Sequence, residues 1–118
     1  MSYNTTEGKP KSSLEFLQLH LSDFLEFLIP KSLILEVIIL PRDRVTFMPN
    51  APPYIIGLFY HKNRIFFLVD VDIFLNPTFA PTVTDEYLVV TVENNDCLLG
   101  LTVKGVGVLQ QIEKDKIL

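Results

Sequence analysis

Tryptophan is missing from the sequence, and cysteine occurs once, at Cys97. A lone cysteine excludes an internal disulfide and fits a reducing compartment, where a small domain relies on its core. The two histidines, His20 and His61, stand far apart in the chain, and there is no H-E-x-x-H, C-x-x-C or acid-rich calcium loop to suggest a metal. With only five glycines the chain also lacks a G-x-G-x-x-G or phosphate loop, so nothing in it calls for a cofactor. A basic cluster is absent and the formal net charge is −4, which leaves no electrostatic footprint for nucleic acid. No apolar run approaches the roughly 20 residues of a membrane helix. The most hydrophobic region, residues 24–40, is interrupted by Glu26, Pro30, Lys31 and Glu36. The polar N-terminus offers no secretory signal. These absences describe a soluble, cytoplasmic protein without membrane insertion.

What is present suits one packed domain. The 118 residues are 48% hydrophobic and 20% charged, which is enough apolar material for a core and too much for global disorder. Residues 1–13 read as a disordered tail and 14–118 as the domain. "LEFLQLHL" alternates like a strand, Ser22-Asp23 signals a turn, and "FLEFLIP" reads as a second strand stopped by Pro30. "KSLILEVIIL" reads as a short helical turn passing into a strand, on the strength of Val37-Ile38-Ile39. "PRDR" is a loop and "VTFMP" a short strand. "NAPPYIIG" carries the marks of a short helix, with Asn50 as cap, prolines in the first turn and Gly57 at the end. "LFYHKNRIFFLVDV" predicts a hairpin with Lys62-Asn63 at its tip, and "IFFLV" a central strand covered on both faces. "DIFL" reads as a helical turn. "YLVVTVE", the turn "NND" and "CLLGLTVKGVGVL" form a further hairpin, and "QQIEKDKIL" ends the chain as a short strand or a helix. Many short strands with frequent turn signals describe an all-β barrel or sandwich.

Three groups invite a chemical reading. Asp70 and Asp72, two apart in an apolar run, would share a strand face and so a proton or a metal, but no third ligand is near. The favoured reading makes them a strand end, with Asp72 capping "IFL". Cys97 opens the apolar run "CLLGL" and reads as a small core residue rather than a nucleophile. His20 near a strand end, His61 near a hairpin tip and the trio Arg42-Asp43-Arg44 read as solvated groups. Glycines such as Gly57, Gly100, Gly105 and Gly107 serve backbone geometry. Nothing is assembled for catalysis, and exposed turns and sheet edges remain as places to bind a protein.

The order of these pieces resembles the CheW family of chemotaxis coupling proteins over residues 15–109. The family's "F-x-L-x-x-x-x-(F/Y)-x-(I/L)-P" is similar to Phe16-Leu17-Gln18-Leu19 followed by Phe27-Leu28-Ile29-Pro30. Its "v-x-E-(I/V)-(I/L)" is similar to Ile34-Leu35-Glu36-Val37-Ile38. The most specific segment, "(I/V)-t-x-(V/L)-P-x-A-P-x-(Y/F)-(I/V)-x-G", is matched by residues 45–57 with Pro49, Pro52 and Gly57 in place. Its "(I/V)-x-(V/L)-(V/I)-D-L" resembles residues 65–71, with Asp70 as the acid, and "V-G-L-x-V-D-x-V" resembles residues 99–106, with Gly100 as the glycine. The family's "N-x-R-G" stands here as Tyr60-His61-Lys62-Asn63, and the aspartate of the later motif is Lys104. The resemblance implies an all-β fold of two small five-stranded, SH3-like barrels, the second incomplete. It implies a non-enzymatic adaptor joining a chemoreceptor signalling tip to a CheA-type histidine kinase, in chemotaxis, phototaxis or pilus-driven motility. Glu36, Tyr60, Lys62 and Arg64 would then meet a partner. Family members usually continue for several strands beyond Leu109, so self-association or strand addition at an open C-terminal edge is also expected. The alternative reading is a stand-alone CheW-like β module with an unrelated regulatory or structural partner.

Overall fold

The computed structural model describes residues 13–81 and 83–113. Nine strands and one short helix follow each other: β1 (Ser13–His20), β2 (Glu26–Pro30), β3 (Ile34–Pro41), β4 (Thr46–Phe47), β5 (Ile55–His61), β6 (Arg64–Asp70), α1 (Val71–Leu75), β7 (Glu86–Asn94), β8 (Cys97–Val103) and β9 (Gly105–Glu113). Single 3-10 turns join β1 to β2, β2 to β3 and β3 to β4. The all-β expectation is met. Of the expected tail, only Ser13 lies within the described residues, where it opens β1.

The strands form two ladders, a three-stranded sheet in the order β2-β1-β9 and a six-stranded sheet in the order β3-β7-β8-β6-β5-β4. All neighbours are antiparallel except β6 and β8, which run parallel, with α1, the long connection after it and β7 between them in the chain. The chain passes from the small sheet to the large one between β2 and β3, and returns at Lys104, whose backbone N–H donates to the His20 carbonyl at 2.8 Å.

Two cores result, and β7 serves both. Its alternation sends Tyr87 and Val89 into a core with Leu40, Val45, Phe59, Phe66 and Leu68. Val90 and Val92 point the other way, into a core with Leu17, Leu19 and Ile29 of the small sheet and Leu21 just beyond β1. Val89, Val90, Leu19 and Leu68 are fully buried. Burial of each such side chain contributes about 1.5–3 kcal/mol. In the first core the Phe59 and Phe66 rings stack with centroids 5.2 Å apart. Gly100 on β8 lies beneath Phe59, where a Cβ would come within 2.7 Å of the ring, so only glycine allows the aromatic to sit flat on the sheet.

The register of β3 on β7 slips between Ile34 and Glu36. The fully buried Thr91 side chain fills that bulge. Its hydroxyl accepts from the Glu36 N–H at 3.0 Å and donates to the Glu36 carbonyl at 3.1 Å, pairing the backbone groups that the ladder leaves out.

Several local expectations are corrected. Residues 49–54, which hold Pro49 and Pro52, form turns and no helix, and strand β5 begins at Ile55. Three prolines, Pro49, Pro52 and Pro53, and no 3.6-residue apolar period leave a helix there short of backbone donors and without a face to bury. Gly57 sits inside β5 opposite β4, where a Cβ would lie 2.1 Å from the Thr46 carbonyl oxygen, so it marks a close backbone approach rather than a helix end. Strand β6 is central, but its second face is covered only at the C-terminal end: Phe66 and Leu68 are buried on one side, while on the other Ile65 and Phe67 are exposed and Val69 is buried.

Thr91→Val keeps the shape of the side chain and removes both hydrogen bonds to the bulge. It is expected to lower stability by about 1–3 kcal/mol, read as a shift of the urea unfolding midpoint; an unchanged midpoint would show that the bulge holds without this clasp.

Candidate protein-docking site

The hairpin of β5 and β6 turns at Lys62 and Asn63, with φ of 51° and 64°. These left-handed angles match the twist of the flanking strands in a two-residue turn. The turn closes the ladder pair His61 and Arg64. Beside it stands Glu36, carried on the bulge of β3. Although β3 and β5 are separated by three strands in the ladder, the sheet curls until their side chains meet. His61 Nε2 is hydrogen-bonded to Glu36 Oε1, and Lys62 Nζ lies 3.2 Å from Glu36 Oε2. Arg64 on β6 reaches Glu93 on β7 at 2.9 Å. The hydrogen bond from His61, then that from Lys62, holds the Glu36 carboxyl below its ordinary pKa of 4.5.

The four residues expected to face a partner therefore gather at one corner, but three of them are already engaged inside the chain. Glu36 binds His61 and Lys62, and Arg64 binds Glu93. Tyr60 differs: it is 62% exposed and stands on the outer face of the hairpin opposite Ile65. His61 is not a free solvated group, since it also packs edge-on against Phe66 with ring centroids 6.3 Å apart. Arg42 likewise lies over the Phe47 ring at 5.2 Å.

From Tyr60 and Ile65 an apolar strip runs along the outer face of β6 through Phe67, the neighbour of Leu99 on β8. It ends in an open groove of about 380 Å3 between Val69, Leu99 and Leu101 on one side and Phe74 and Leu75 of α1 on the other, with Phe27 of β2 at its edge. Tyr54 lines the groove with its ring, set edge-on to Phe74 at 5.2 Å. The three-stranded sheet packs on this face over β7, and Tyr60, Ile65 and Phe67 on β5 and β6 are left exposed. Sequence reasoning missed this face because "IFFLV" is apolar without a break, and such a run does not say which of its two faces is covered.

The expected capping role falls to Asp70 and not to Asp72. Asp70, buried, is the cap of α1, its carboxylate accepting from the Ile73 N–H at 3.1 Å. Asp72 lies inside the helix and binds Ser22, from whose backbone N–H it accepts at 3.1 Å and from whose hydroxyl at 2.6 Å. The helix starts one residue earlier than predicted, so the pair no longer shares a strand face. Cys97 is exposed at the start of β8, not packed in a core. Among the described residues no three His, Cys, Asp or Glu side chains gather as metal ligands, and no helix is long and apolar enough to cross a membrane. Among the same residues the outer edge of β9 pairs with no strand.

The family model of the CheW-like domain matches residues 15–118. The chain belongs to the CheW-like domain family. Among solved structures, the scaffolding protein TtCheW from Thermoanaerobacter tengcongensis matches this CheW-like domain with a TM-score of 0.70 and 17% identity, over 86% of this chain and 67% of that one. At that identity the likeness is one of fold. Comparison with curated proteins finds no match.

Because the folded protein lowers the pKa of Glu36, its pairs contribute stability above about pH 4.5, and that contribution is lost as pH falls through the lowered value. The difference in unfolding midpoint between the protein and its Glu36→Gln variant is expected to be full near neutrality and to shrink on acidification. A difference that stays constant with pH would mean that the two cations do not act on this carboxylate.

Proposed function

We propose that this CheW-like domain is a non-enzymatic cytoplasmic adaptor that couples a chemoreceptor-type signalling tip to a CheA-type histidine kinase. The observation that carries the reading is the bare apolar strip from Tyr60 to the groove, lying next to a hairpin tip fixed by ion pairs. A contiguous exposed apolar surface rimmed by charge is the mark of a protein interface. Aromatic residues such as Tyr60 supply much of the binding energy at interface centres, and the charged rim sets orientation and partner choice. Membership of the family supports the scaffold role in general.

The mechanism is linkage of two equilibria. An adaptor alters kinase output only if its contacts differ between the receptor's signalling states, because equal affinity for both shifts nothing. A rigid presentation of the docking surface serves this purpose. The exposed Tyr60 ring, and Lys62 and Arg64 on the tip, are the residues assigned to the partner. The outer edge of β9 offers a second, weaker means of attachment by strand addition.

The direct test is titration of the purified chain with a CheA-type regulatory domain and with a receptor signalling hairpin. Binding to both is expected, and binding to neither removes the adaptor reading. Tyr60→Ala is expected to weaken one of the two by about tenfold, or ~1.4 kcal/mol, and Lys62→Glu to weaken it at least as much. Unchanged affinities in both variants would place the contact elsewhere on the molecule.

A further inference from the structure

Among the described residues four strands form the free edges of the two sheets, β2 and β9 in the small one and β3 and β4 in the large one. An exposed edge is a template for another strand, and proteins blunt it with charge, proline, a bulge or short length. Three of the four are blunted in these ways. β2 has five residues, opens on Glu26 and closes on Pro30. β3 carries the bulge beside Glu36 and ends at Pro41. β4 is two residues long. β9 is nine residues long, contains no proline, and places its single charge at its last residue, Glu113. Its ladder with β1 shifts where Gly107 and Val108 lie opposite Gln18, and from Leu109 to Glu113 it is unbroken.

The same edge borders a core that is not fully covered. Val106 of β9 and Ile34 of β3 pack against the core of Leu17, Leu19 and Val90. Farther along both strands, apolar residues turned to that side stand in water. Leu109 lies opposite the buried Leu17 and is 52% exposed. Val37 lies opposite the fully buried Val90 and is exposed as well. Directly opposite residues share a face of the sheet, so these are core-facing side chains that nothing among the described residues covers.

We propose that the β9 edges of two copies of this chain pair antiparallel about a twofold axis, joining three strands from each copy into one continuous sheet. The sequence of the edge is close to self-complementary for such a pairing. With the axis at Gln110, Val108 of each copy meets Ile112 of the other and Leu109 meets Gln111, while Glu113 falls opposite Gly107. Apolar residues then oppose each other twice, and no like charges face each other. The two Leu109 side chains become diagonal neighbours on the core-facing side. An isologous contact needs one patch to serve as both donor and acceptor, and an antiparallel edge does so with its own backbone. The proposal rests on the reading of the β9 edge as a place of strand addition and names its occupant.

Sedimentation velocity of the full chain over a wide concentration range tests it, together with amide hydrogen exchange. A reversible monomer–dimer equilibrium is expected, with exchange in residues 108–112 slowing as the dimer forms. Val108→Lys gives the edge the lysine that blunts such strands and removes both apolar pairs, so about a tenfold weakening is expected. Val108 is 64% exposed, and the variant is expected to keep the circular dichroism spectrum of the parent. Gln110→Lys and Gln110→Glu each set like charges across the axis and are expected to weaken the dimer, while an equimolar mixture of the two recovers it. A chain that stays monomeric at the highest concentration overturns the proposal, as does a dimer that survives Val108→Lys or a mixture no stronger than its components. Slow exchange of the same amides in a monomer means that a segment of the same chain fills the edge, and overturns it too. Kinase and receptor binding is read separately by titration, so a monomer that binds both partners sinks the pairing alone, and a dimer that binds neither sinks the adaptor reading alone.

Discussion

The architecture depends on one strand having two apolar faces. β7 lies between two cores, so it satisfies both with a single run, "YLVVTV", in which alternate residues go to opposite sides. A slip of one residue in its pairing would exchange the two sets and misplace every buried group at once. Register is therefore the quantity the fold must protect. The turn at Asn95 and Asp96, both in the left-handed region, sets it against β8. On the other side the register against β3 contains an irregularity, and there Thr91 is placed. Its side chain is the one polar member of the buried run, and it answers the backbone groups that the bulge leaves unpaired.

Sharing a strand economises on residues but leaves the sheets unequal. Three strands are laid over six, so part of the larger sheet has no cover. The bare part falls on β5 and β6, whose inner residues, Phe59, Phe66 and Leu68, are firmly held. An apolar surface backed by a stacked aromatic core is stiff, and stiffness reduces the entropy lost when a partner docks. The exposed apolar strip thus follows from the same inequality that produces two cores.

Much of this was legible in the residues. Asparagine at both tight turns announced positive φ, and the hairpins formed where Lys62-Asn63 and "NND" placed them. Family resemblance located the fold because its motifs are made of proline, glycine and alternation, which encode backbone path. Gly57 and Gly100 were recognised as backbone positions, but their physical reason emerged only from what lies opposite them: a carbonyl oxygen in one case and a phenyl ring in the other. What stayed hidden were long-range side-chain partners. Nothing local distinguishes Asp70, which caps a helix, from Asp72, which reaches back 50 residues to Ser22. Cys97 looked like a core residue because the run that follows it is apolar, yet it is the first residue of an alternating strand and falls next to the turn. Phe24 reads as strand for its hydrophobicity, yet the turn that Ser22-Asp23 signals extends through it.

The paired charges at the hairpin corner illustrate how position and energy separate. Exposed ion pairs contribute little to stability, and Glu36, Lys62 and Arg64 all remain accessible to solvent, so the corner is not what holds the fold together. Their geometric effect is larger. Glu36 sits on β3, which begins the six-stranded ladder, while His61 and Lys62 close the hairpin near its far end. The ion pairs therefore join two parts of a curled sheet that share no backbone hydrogen bonds. They fix the tip relative to the bulge that Thr91 clasps, and through it relative to β7. A protein that grips this tip would therefore be gripping an extension of the core. Such a surface suits a scaffold, which must transmit orientation between two partners without bending in between.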